Sequence, residues 1–111
     1  MNKVYKLKWT ANAKDNLLNI VDYIKQESPS TANDIYLQIR EKAQSSNFLP
    51  LKGRIVPELQ KEGITQYREI ITSPWRIIYK VSADTVYIML IVDSRQNLED
   101  LLLQKLIKST Q

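Results

Sequence analysis

Residues 4–9 alternate, with Tyr5, Leu7 and Trp9 on one face and Lys6 and Lys8 on the other. A period of two predicts a half-exposed strand. The period changes after Thr10, where Ala13, Leu17, Ile20, Val21 and Ile24 recur at helical spacing and Thr10 is placed to cap the helix. Ser28-Pro29-Ser30 breaks that pattern, because proline biases the residue before it out of the α region; Ser30 is placed to cap the next helix. This second helix buries Ala32, Ile35, Tyr36, Ile39 and Ala43 and should fade near Ser45-Ser46-Asn47. The short turn makes the pair an antiparallel helical hairpin.

Residues 49–66 hold Pro50, Gly53 and Pro57 and end near Gly63, which predicts a loop with little regular structure. A β-hairpin over residues 67–81 turns at Ser73-Pro74, and a second turn at Ser82-Ala83-Asp84 leads into residues 86–92. That uninterrupted apolar run predicts a strand buried on both faces, central in the sheet. Asn97 is placed to cap a last helix, with Glu99 and Asp100 in its first turn and Lys105 and Lys108 in its last, the polarity the helix dipole favours. Its leucines at 98, 101, 102, 103 and 106 exceed one narrow face. Some should pack on the sheet; Leu102 and Leu106 are candidates for cover by a partner helix. The prediction is an α+β domain of order β-α-α-β-β-β-α spanning residues 1–111, a small antiparallel sheet with an N-terminal helical hairpin and a C-terminal helix.

Composition narrows the chemistry. With 111 residues the chain makes one core, not two. It has no cysteine and no histidine, so disulfides, thiol chemistry, a Ser/His/Asp triad and a credible metal site are not expected. Two glycines cannot build a phosphate-binding loop, and no cofactor is expected. The first residues interleave lysines where a signal peptide needs an apolar core, and no segment approaches the ~20 apolar residues of a membrane span. A cytoplasmic location with no membrane partner is the expectation.

The net charge is +4, and residues 52–80 hold six basic and three acidic side chains. Of five arginines, Arg54, Arg68, Arg76 and Arg95 lie in or beside the sheet region. A guanidinium between Trp75 and Ile77 has no packing role, which suggests display of positive charge to a partner. Arg76 also has a structural reading: with an even-numbered turn, it and Glu69 share a face and form a cross-strand ion pair. Arg68 lacks such a partner, since Glu69 points to the opposite face. Arg54 in a loop is by default solvated, and Arg95 after the buried strand could bond to backbone carbonyls. Trp75, Tyr79, Ile77 and Val81 share a face, and core packing with Trp9 accounts for them better than base stacking.

Gly53-Arg54, Val56-Pro57-Glu58, Tyr67-Arg68-Glu69-Ile70, residues 75–81 and Asp93-Ser94-Arg95 together resemble the RelE/ParE superfamily, toxins of type II toxin–antitoxin modules. The resemblance implies a cognate antitoxin partner, a hetero-oligomer, and contact with operator DNA only indirectly, through the antitoxin. It also implies one of two activities. RelE-like members are ribosome-dependent endoribonucleases that cut mRNA, for which Arg68, Arg76 and Arg95 stand where catalytic basic residues are expected. ParE-like members inhibit DNA gyrase, and Arg54, Arg68, Arg76, Arg95, Leu102 and Leu106 would then bind target or antitoxin. A third reading is a decayed member that binds antitoxin alone. RNA cleavage needs a proton acceptor and donor besides cations, and arginine, with a pKa above ~12, is a poor proton shuttle. The C-terminal tyrosine of the RelE type falls near Leu101, and a second hairpin lysine is replaced by Ile70. Glu99, Asp100 and Tyr79 remain as acid–base groups, none at a position the resemblance nominates. The reading adopted is ParE-like.

Overall fold

The computed structural model describes residues 4–45, 50–96, 98–102, 104 and 106. A five-stranded mixed sheet lies between two helical layers. The strands are β1 (Lys6–Trp9), β2 (Arg54–Ile55), β3 (Tyr67–Thr72), β4 (Trp75–Ser82) and β5 (Thr85–Asp93). They lie in the order β1-β5-β4-β3-β2. Helices α1 (Ala11–Lys25) and α2 (Pro29–Ser45) form the hairpin on one face, and α3 (Pro57–Gln60) and α4 (Leu98–Leu102) lie on the other.

The single core expected from chain length is divided by the sheet into two clusters, one on each face, because successive side chains of a pleated strand point opposite ways. Trp75, Ile77, Tyr79 and Val81 of β4 face α1 and α2, where Ala13, Leu17, Ile39 and Ala43 close over them together with Trp9. Ile78 faces the other way, into a cluster with Val56, Leu59, Tyr67, Leu102 and Leu106. In β5 the alternation carries a register shift: Ile78 pairs with Leu90 but Tyr79 with Ile88, which leaves Met89 as an extra residue. The shift turns Val86, Ile88 and Ile91 toward the hairpin and Leu90 and Val92 toward α3 and α4. Burial on both faces is thus why the run reads as continuous.

Several boundaries differ from the sequence reading. β1 pairs with β5 in parallel, so the sheet is mixed; the other three pairings, β2 with β3, β3 with β4 and β4 with β5, are antiparallel. β5 is an interior strand, while β4 holds the central place. Ser28, not Ser30, caps α2: its hydroxyl accepts from Thr31 N–H at 3.3 Å and its carbonyl from Ala32 N–H. The expected loop contains β2 and α3, the latter started by Pro57 in the first turn. Ser46, Asn47, Asn97, Leu103, Lys105 and Lys108 lie outside the described residues.

Thr10 joins two layers. Its hydroxyl accepts from Ala13 N–H, as an N-cap does, and donates to the Ile88 carbonyl at 2.9 Å. Where β1 ends, Asn16 Oδ1 takes over the exposed edge of β5 by accepting from Ile91 N–H at 3.0 Å. Helix α1 therefore finishes the hydrogen-bond ladder that β1 begins.

Candidate functional site

The arginines single out one region, where β2, β3 and β4 lie side by side. Arg54 is opposite Glu69, and Arg76 lies diagonally across from it, opposite Ile71. All three share the face covered by α3. Glu69 is 2% exposed and accepts from Arg54 Nε through Oε2 and from Arg76 Nε through Oε1, both at 2.6 Å. The other end of the Arg76 guanidinium meets Glu58 of α3 in two parallel bonds of 2.8 Å, a bidentate pair. Two cations and two anions thus form one continuous chain of ion pairs, with Arg76 only 5% exposed.

The network fixes its protonation states. The hydrogen bonds from Arg76 hold the Glu58 carboxyl below its ordinary value, against the opposing effect of burial. Those same bonds, from Glu58 foremost, raise Arg76 further above the range in which a proton leaves. Arg76 is therefore not displayed to a partner. Packing does have a use for a guanidinium between Trp75 and Ile77, namely to tie α3 to the sheet. Of its two readings, the ion pair is the one realised.

Arg68 points to the hairpin face, beside Tyr79, and is half-buried. It donates to the Gly53 carbonyl at 2.8 Å. Arg95 sits beyond the end of β5 with its side chain 75% exposed, in a two-pronged pair with Asp93 of its own turn. That pair lowers the Asp93 carboxyl and raises the guanidinium. The structure thus joins Arg54 with Arg76 but leaves Arg68 on the opposite face and Arg95 in a separate turn.

Tyr79, Glu99, Leu102 and Leu106, also named from sequence, are engaged within the fold, while Asp100 is exposed on α4. Tyr79 is fully buried, and burial raises its hydroxyl; it donates to the Pro50 carbonyl at 2.6 Å and accepts from Gly53 N–H at 3.1 Å. Glu99 pairs with Lys61 at 2.8 Å, which ties α4 to the end of α3 and raises the lysine. Leu102 and Leu106, expected under a partner helix, are buried in the protein's own second core, so neither offers surface in this fold. Glu58 and Glu69 were the residues that strand periodicity underrated. Pro57-Glu58 carried a usable signal, since proline followed by an acid marks a helix start.

A mixed sheet holding a helical hairpin on one face, with Arg54, Arg68, Arg76 and Arg95 engaged by carboxylates and carbonyls, defines a small α+β protein. Solved structures share that fold, two of them toxin–antitoxin assemblies. One is the chromosomal ParDE TA system from P. aeruginosa, with a TM-score of 0.67 and 22% identity over 81% of this chain and 96% of that one. The other is the toxin–antitoxin complex RelBE2 from Mycobacterium tuberculosis, with a TM-score of 0.59 and 17% identity over 82% and 92% of the two chains. Among curated protein sequences none matches significantly. The family model for the ParE toxin of the type II toxin–antitoxin system, parDE, matches residues 7–98, and the chain belongs to that family. Among the described residues no helix is long and apolar enough to cross a membrane.

Proposed function

We propose that this chain is the toxin of a type II pair, acts by protein–protein contact on DNA gyrase, and is held inactive by a cognate antitoxin. The observation that carries the reading is the dispersal of the basic residues a nuclease would gather. Arg76 is enclosed by Glu58 and Glu69, Arg68 is bonded to backbone carbonyls on the opposite face, and Arg95 is paired with Asp93. The Tyr79 hydroxyl, carried by the cross-strand partner of Arg68, has both donor and acceptor roles filled. Phosphodiester cleavage requires cations, an acid and a base around one reacting atom. Membership of the ParE family supports the same reading, and the solved ParDE and RelBE2 assemblies support an antitoxin partner.

The deciding experiment is gyrase supercoiling and cleavage-complex formation with the purified, antitoxin-free chain. Inhibition accompanied by trapped, cleaved DNA is the expected result. Folded protein that leaves gyrase untouched but cuts mRNA on ribosomes would overturn it in favour of the RelE-like activity.

A further inference from the structure

The turn at residues 50–53 is fastened from two sides. From beneath, the Tyr79 hydroxyl bonds the Pro50 carbonyl and the Gly53 N–H; from the side, Arg68 bonds the Gly53 carbonyl and reaches that of Leu51 at 3.4 Å. The fit leaves no space for a side chain at Gly53, where a Cβ would stand 2.5 Å from the Tyr79 hydroxyl and 2.6 Å from the Glu69 carbonyl. Yet the tip held this way stays largely uncovered by the described residues. Leu51 is 69% exposed, and Lys52 is exposed and forms no ion pair among the described residues. Cations flank the tip: Arg68 and Lys80 share one shallow cleft with Leu51, and Lys42, Lys52 and Arg54 line another. Among the described residues the only acid in either cleft is Glu69, which is buried against Arg54 and Arg76.

A solitary exposed leucine is ordinary. A leucine on a backbone clamped by a buried tyrosine and an arginine is not, because the clamp removes the ordering cost of docking it elsewhere. We propose that the Leu51-Lys52 tip is the anchor by which this chain engages its protein target. Leu51 enters an apolar pocket whose rim carries carboxylates, which the surrounding lysines and arginines meet. The ring of like charge disfavours a second copy of this chain, and a leucine at the centre gives a phosphate backbone nothing to bind. The proposal rests on the proposed function only in that the target is a protein.

The test uses the full chain with Leu51→Asp and, separately, Lys52→Glu, read by growth arrest on induction, gyrase inhibition and thermal melting. Loss of a central anchor should weaken inhibition about thirty-fold or more for L51D. K52E should weaken it less, with reduced sensitivity to salt, and both should melt as the parent does. Both variants arresting growth at full strength would overturn the proposal. So would L51D that stays toxic but escapes rescue by the antitoxin, since the tip would then belong to the antitoxin interface. If the parent arrests growth without touching gyrase while L51D is harmless, the anchor stands and the gyrase reading falls.

Discussion

Arg76 shows how a residue that reads as functional from sequence becomes structural in context. Removing it leaves Glu69 buried with one of its two cations gone and Glu58 without its bidentate partner. Breaking a buried ionic network from one side costs about 3–5 kcal/mol, whereas replacing all its members with apolar groups is often neutral. Arg76→Ala should therefore lower the melting temperature strongly, while the double change Arg76→Met with Glu69→Leu should recover much of the loss. Equal melting of the single and double variants would show that the network does not act as a unit.

The pH dependence comes from Glu58. Its folded-state pKa is depressed, so the stability it contributes is present above its ordinary value of 4.5 and is lost as pH falls through the lower folded value. Asp93, also depressed, adds a loss in the same direction. Chemical denaturation measured from neutral pH down into the acid range should show falling stability, and Glu58→Gln should flatten that fall while lowering stability at pH 7. An acid limb unchanged in E58Q would assign the loss to other carboxylates.

Among the elements, α1 depends on more than its apolar stripe. Thr10 caps the helix and bonds β5, so Thr10→Ala removes a cap of about 1 kcal/mol and leaves the Ile88 carbonyl one donor short, for about 1–3 kcal/mol together. Hydrogen exchange should quicken at the start of α1 and at Ile91 N–H, which Asn16 holds. Quickening confined to α1 would mean that the helix and the strand are not coupled there. Helix periodicity placed α1 and α2 closely, because their stripes face one layer only. It did not place β2 or α3, which are too short for any period to show and exist because Glu69 and Arg76 give Arg54 and Glu58 partners.

Over the whole molecule, α4 covers what the hairpin cannot reach. Leu102 packs with Ile78, Leu90 and Val92, and Leu106, past the end of α4, joins them. A chain ending at residue 96 should expose that cluster, bind a hydrophobic dye and melt earlier, while its helical content falls only slightly. A truncated chain that melts like the parent would contradict the two-core account.

By itself the sequence determined the α+β class, the helical hairpin, the strands of the hairpin and β5, the face shared by Trp75 and Tyr79, and the family resemblance. Each is set by local period, turn chemistry or short motifs. Only the tertiary structure decided the parallel pairing of β1, the register shift at Met89, the burial of Arg76, and the fastening of residues 50–53 by Tyr79 and Arg68. Those depend on contacts between residues far apart in the chain, and a guanidinium has the same sequence signature whether it meets solvent, a partner or a buried carboxylate.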